Sequence, residues 1–182
     1  MADGHRQLPP RDFFHLEGYN ESNPGGTDLS YIESLAWSPL HPRGLLAAGT
    51  VFNTYASVWD LGTGRVSKLT WTLDVRVVAM AFSGRVRGLL AILGTDNMVR
   101  LLDVETERLV QTLDPAIQMT SQSGGVCFVD MPDSPPTLVS LHPDKKAGTL
   151  CTWSRSGDAF ERTATTEVRS RPDILLLVLV VD

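Results

Sequence analysis

The residues able to do chemistry in this chain are scattered. Its four histidines are His5, His15, His41 and His142. His41 and His142 each precede a proline and read as turn residues of separate segments, so no short-spaced pair offers metal coordination. The two cysteines, Cys127 and Cys151, fall on two predicted strands without a histidine close by in sequence, and read as small buried hydrophobes. No Gly-x-Ser-x-Gly elbow presents a nucleophile. Ser121-Gln-Ser-Gly-Gly125 and Gly62-Thr-Gly64 lack the remainder of a phosphate loop. Asp96, in a turn, reads as a fold determinant held by its hydrogen bonds, not as a catalytic acid. The expectation is a protein with no catalytic residue, no cofactor and no metal.

Composition narrows the partners. A net charge of −5 leaves no broad basic face, so no nucleic acid is expected. Arg85-Val-Arg87 and Arg169-Ser-Arg171 read as solvated clusters. Hydrophobic residues make up 42% and charged ones 20%, enough for a packed core. Residues 1–30 read as a flexible leader: Pro9-Pro10 and Asn23-Pro-Gly-Gly26 interrupt any secretory signal, leaving Phe13-Phe14 as a short apolar patch. Ile174 to Val181 is apolar but far shorter than the roughly 20 residues of a spanning helix. No membrane span is expected, and the default compartment is intracellular, cytoplasmic or nuclear.

The elements that must position these residues come as a repeat. Gly44-Leu-Leu-Ala-Ala-Gly-Thr50 followed by Val58-Trp-Asp-Leu-Gly-Thr-Gly-Arg65 returns as Gly88-Leu-Leu-Ala-Ile-Leu-Gly-Thr95 followed by Leu101-Leu-Asp-Val-Glu-Thr-Glu-Arg108. Trp59-Asp60 aligns with Leu102-Asp103 at an offset of 43, and Ser34 to Ser38 with Ala79 to Ser83 at 45. Short apolar segments stopped by Pro39 and Gly84 read as inner strands, and the runs ending in Gly-Thr as strands buried on both faces. A third strand ends in Asp60 or Asp103, each opening a turn, and Arg65 to Trp71 or Arg108 to Leu113 completes each unit. A third, eroded unit follows in Gly125 to Asp130, Pro136 to Leu141, Gly148 to Ser154 and Ala159 to Val168, with Trp153 at the repeat's Trp position. The expected organisation is three four-stranded units, 31–74, 75–121 and 122–168, with 169–182 as the first strand of an incomplete fourth.

A period of about 40 to 45 residues carrying Trp-Asp resembles the WD40 repeat, the four-stranded blade of a β-propeller. The resemblance implies an all-β, partial propeller of three blades plus one strand. It also implies a structural hydrogen-bonded chain of His, Ser or Thr, Asp and Trp in each blade. Thr50, Trp59 and Asp60 stand at such places in the first unit, with Asn53 in the turn region; Thr95, Asp96 and Asp103 in the second; Trp153 in the third. Leu102 replaces Trp in the second unit, and no unit carries the full set. Some ligase-receptor members carry Arg two residues after the Asp of Trp-Asp, where this chain has Gly62 and Glu105, which counts against that role.

Function is then expected in loops on a rigid scaffold. The loops between second and third strands are Val51 to Tyr55, Asp96 to Asn97 and His142 to Ala147. Their candidate protein-binding residues are Phe52, Asn53, Tyr55, Asn97, Lys145 and Lys146, with the aromatic ones as anchors. The function expected is a non-catalytic scaffold that binds other proteins or peptides on the propeller face within a multiprotein complex. The alternative is a propeller enzyme, such as a metal-dependent lactonase, or a hydrolase accessory domain. Closed propellers have four to eight blades, and closure removes unpaired edges. An arc of three is therefore expected to be completed by more blades, by another chain or by a second copy of itself.

Overall fold

The computed structural model describes residues 32–40, 44–50, 55–61, 67–117, 124–143 and 147–168. The leader and the segment 169–182, including Ile174 to Val181, lie outside them. The described chain is all β. The first sheet holds β1 (Ile32–Trp37), β2 (Leu45–Thr50), β3 (Tyr55–Asp60) and β4 (Ser67–Thr72). The second holds β5 (Val77–Phe82), β6 (Leu89–Gly94), β7 (Val99–Asp103) and β8 (Arg108–Leu113), and the third β9 (Gly125–Val129), β10 (Thr137–Pro143), β11 (Gly148–Ser156) and β12 (Ala159–Val168). Each sheet is an antiparallel meander with its strands in chain order. The inner strands β1, β5 and β9 pack against one another, whereas of the outer strands β8 and β12 touch only lightly. The sheets therefore fan out as blades.

Alternation along each strand sorts the side chains into two kinds of face. Cross-strand rows on the face toward the preceding blade are large: Phe82, Leu90 and Leu102 in the second sheet, Phe128, Leu138 and Trp153 in the third. Rows on the face toward the following blade are smaller: Ala36, Ala47 and Val58, then Ala81, Ala91 and Leu101. Large therefore meets small. Met80, Phe82, Leu90, Ile92 and Leu102 form one core with Ala36, Ala47, Ala56 and Val58. Ala91, Leu93, Val99 and Leu101 form a second with Leu138, Cys151, Trp153 and Phe160. Having a neighbour on both sides buries β6 along its whole length, and each fully buried Leu or Ile contributes about 1.5–3 kcal/mol.

The spacing between blades depends on a missing side chain. A Cβ on Gly49 would stand 2.5 Å from that of Val77 in the next sheet, so only glycine lets β2 and β5 approach this closely. Gly44 and Gly88 lie before equivalent second strands with φ of 70° and 72°, a region that suits glycine. Their carbonyls accept from Leu61 and Val104, both at 3.0 Å, locking the end of each third strand to the start of the second.

Polar ties also join adjacent blades about one repeat apart. Met80 N–H donates to Ser34 Oγ (2.9 Å) and Gly84 N–H to Asp130 Oδ2 (2.7 Å). Gln111 bonds the Phe160 backbone reciprocally, its Nε2 donating to the carbonyl (2.9 Å) and its Oε1 accepting the N–H (2.8 Å). Arg162 donates to the carbonyl of Pro115. Arg85 is exposed, as expected, and its guanidinium also donates to the carbonyls of Met131 and Ser134 in the third blade.

Candidate functional site

Of the loops after the second strands, the Thr95–Met98 turn is the one described in full. Gly94 closes it, its N–H donating to Met98 O (3.1 Å) while its carbonyl accepts from Asn97 (3.0 Å). Thr95 follows β6 and does not lie within it; its N–H donates to Arg76 O at 3.0 Å. Asp96 is held in a fork by Arg100, with Nη1 to Oδ1 at 3.0 Å and Nη2 to Oδ2 at 2.7 Å, and Oδ1 also accepts from Met98 N–H. Burial would raise its pKa, but the Arg100 bonds and charge outweigh that and hold it below the ordinary carboxylate range. Asn97 takes φ of 70°, which Asn tolerates better than most side chains. Its Nδ2 points to Ile117 O at 3.4 Å, while its Oδ1 is buried without a partner. The turn is thus held by the loop before β5, by β7 and by the segment after β8.

The other candidates fall elsewhere. Phe52, Asn53, Lys145 and Lys146 lie outside the described residues. Tyr55 opens β3, opposite Thr72, and so belongs to a strand and not to the loop. Thr50 closes β2. Asp60 closes β3, half-buried. Asp103 opens the β7–β8 turn as its position suggests, accepting from Glu105 N–H (2.9 Å) and Thr106 N–H (3.2 Å). Asp96 is an exposed residue paired with Arg100, not a buried one.

The polar centre of the molecule is one the sequence did not disclose. His142, expected in a turn, is the penultimate residue of β10 and 1% exposed. Its Nε2 lies 2.8 Å from Ser140 Oγ, which also accepts the indole N–H of Trp153 at 3.1 Å. Ser140 and His142 alternate with Leu141, so they share a face of the strand, and Trp153 reaches across from β11. That alternation beside the repeat's Trp was the available signal; the proline after His142 obscured it by suggesting a turn. Burial pushes the imidazole down to about 4, and it is neutral at neutral pH. Arg162 sits over the Trp153 ring, 6.0 Å from its centroid.

Trp59 occupies the equivalent place in the first blade, opposite Leu46 as Trp153 is opposite Leu138. It is 3% exposed, yet its Nε1 has no partner. Ala48 stands where the third blade has Ser140. In the second blade the corresponding residues, Ile92 and Leu102, are both apolar and buried. Burial raises the pKa of both Cys127 and Cys151, and their neighbours Val139 and Ser140 face opposite ways along β10.

At the opposite end of the blades a cleft of about 280 Å³ opens between the second and third, floored by Val86, Leu89, Val110 and Phe160. Its two arginines are already engaged: Arg87 pairs with Glu105 at 2.5 Å, and Arg155 donates to Gly157 O at 3.0 Å.

No family model matches this chain, and no curated protein matches it. Among solved structures, a chain of a crystal structure of the mitotic checkpoint complex is similar at a TM-score of 0.58 and 22% identity. The likeness covers 78% of this chain and 41% of that one, so the chain spans well under half the length of this neighbour. At that identity the likeness concerns the fold, a partial propeller of four-stranded blades. Among the described residues, no helix is long and apolar enough to cross a membrane.

Proposed function

We propose that this chain is a non-catalytic scaffold of the WD-repeat kind, binding peptides or protein domains on the loop face of its blades within a multiprotein complex. The observation that carries this reading is the Thr95–Met98 turn. Bonds to Arg76, Arg100 and Ile117 fix its shape before any partner arrives, and a loop ordered in advance loses little conformational freedom on binding. Support also comes from where the reactive groups have gone. Asp96 is bound to Arg100, Asp103 caps a turn, and His142 is sealed in the third blade with Ser140 and Trp153. The similar solved structure is itself of a multiprotein complex. We place the chain inside the cell, in cytoplasm or nucleus.

The test is selection of peptides from a displayed library of disordered protein segments, followed by amide exchange on the complex. Binders that protect residues 94–98 and lose affinity in Asn97→Arg would support the loop-face reading. Binders that protect only residues remote from this turn would overturn it.

A further inference from the structure

The cleft of about 280 Å³ between the second and third blades is remote from the Thr95–Met98 turn, since Leu89 opens β6 and Thr95 follows its other end. Its floor is apolar, built from Val86, Leu89, Val110 and Phe160. Leu89 and Phe160 are buried, whereas Val110 is 48% exposed, so part of that floor meets water. A break in register puts Val110 there. Leu101 pairs with Gln111 and Leu102 with Leu109, which leaves Val110 as an extra residue in β8. Neighbours along a regular strand face opposite ways. Here Gln111 bonds the backbone of Phe160 while Val110 lines the cleft beside the same residue, so both serve the side of the third blade, as a bulge allows. The Gln111 bonds also fix how far β8 stands from β12.

The rim is charged, and its balance is negative. Arg87 and Arg155 line the cleft together with Asp103 and Asp158. Both guanidiniums have partners within the chain: Arg87 Nε is 2.5 Å from Glu105 Oε1, while Arg155 donates to Gly157 O and lies 3.8 Å from Asp158. With Glu105, three carboxylates stand against two guanidiniums, and the adjoining turn adds one of each in Glu107 and Arg108. Asp103 uses only Oδ1, for the N–H groups of Glu105 and Thr106, and the Asp158 side chain is fully exposed. Each keeps an oxygen for a cation. Pockets for whole small molecules begin near about 300 Å³, so this floor suits a single side chain. We propose that the cleft docks an extended segment of a partner protein, which lays a branched aliphatic side chain on Val110 and Phe160 and sets a lysine or arginine against Asp103 or Asp158. An acidic segment would meet the same carboxylates and be repelled. The site stands whether or not the loop face binds.

Methyl NMR of the full chain, titrated with capped pentapeptides, tests this. The probes are Gly-Lys-Leu-Lys-Gly, its acidic counterpart Gly-Glu-Leu-Glu-Gly, and Gly-Lys-Ser-Lys-Gly, which lacks the aliphatic anchor. The first should shift the methyls of Val86, Leu89 and Val110 and bind at least about fivefold more tightly than either of the others, since leucine burial and the sign of the rim contacts each count for about that factor. Val110→Arg should abolish the shifts at Val86 and Leu89. Asp158→Lys, at a fully exposed side chain, should erase the preference for the basic peptide over the acidic one. Both variants should keep the β-sheet circular dichroism, and if one fails to fold, the other decides. No shift at the cleft methyls, an acidic or serine peptide that binds as well as the first, or undiminished binding in a folded Val110→Arg would each overturn the proposal. So would cleft methyls that shift on dilution of the parent chain alone, the mark of a second copy seated there.

Discussion

Trp59 in the first blade and Trp153 in the third hold the same register position, each opposite a leucine of the second strand and each nearly sealed from solvent. Their polar ends differ. Trp153 donates to Ser140, which in turn meets His142, whereas Trp59 has Ala48 at the matching place and its N–H is left unpaired. The middle blade takes a third course, with Ile92 and Leu102 and no polar group to satisfy. One backbone thus accepts a shared network that still leaves His142 Nδ1 without a partner, no network, or a lone donor. Hydrogen-bond energetics rank them: a satisfied pair and an apolar pair are close in stability, while a lone buried donor costs about 1–3 kcal/mol. The indole N–H of the repeat's Trp finds an acceptor in the third blade and lacks one in the first.

The largest effect that would break this comparison is truncation of the ring itself. Trp153→Ala removes a buried aromatic and should cost about 3–5 kcal/mol, read as a fall in the urea midpoint. A loss under about 1 kcal/mol, the level of a typical exposed substitution, would mean that the third blade's core does not rest on Trp153.

Next comes acid. The folded His142 titrates at about 4 against an ordinary value of 6.5, so the unfolded chain binds the proton first. This contribution to stability is fully present above about pH 6.5 and is lost as pH falls toward about 4, at a slope of up to roughly 1.4 kcal/mol per pH unit. Denaturant titrations of the parent chain and His142→Gln should therefore differ in slope between pH 6.5 and 5, with the variant flatter. Parallel curves would place the imidazole in water.

Ser140→Ala should cost about 1–3 kcal/mol, because it strands the Trp153 N–H and the His142 ring in the way Trp59 is already stranded. Thermal unfolding of that variant makes the third blade resemble the first. The reverse exchange is smaller and opposite in sign. Ala48→Ser places a hydroxyl at the register position of Ser140, and should stabilise by about 0.5–1.5 kcal/mol if it meets Trp59. Destabilisation by Ala48→Ser would show that Trp59 is oriented unlike Trp153.

Much of the fold was legible in the sequence. Alternating apolar residues, Gly-Thr strand ends and the returning Trp-Asp segment marked twelve strands in three sheets, because period-two burial and turn chemistry are local properties written residue by residue. The position of Asp103 at a turn was legible for the same reason. Less of the candidate site could be read. Sequence placed Asn97 in the right turn, but not the Arg100 fork on Asp96 or the carbonyl of Ile117 behind it, which comes from the segment after β8.

The linear chain by itself determined the number of blades described and their strand order, since each follows from nearest neighbours and a fixed repeat. Only the tertiary structure decided which polar groups found partners. Whether Trp153 has a hydroxyl and Trp59 none depends on residues in register across strands, and whether the exposed Arg85 also reaches Met131 depends on how one blade leans on the next. Such contacts join residues a dozen to nearly fifty positions apart, and a pattern read along one strand holds no information about the atom waiting on another.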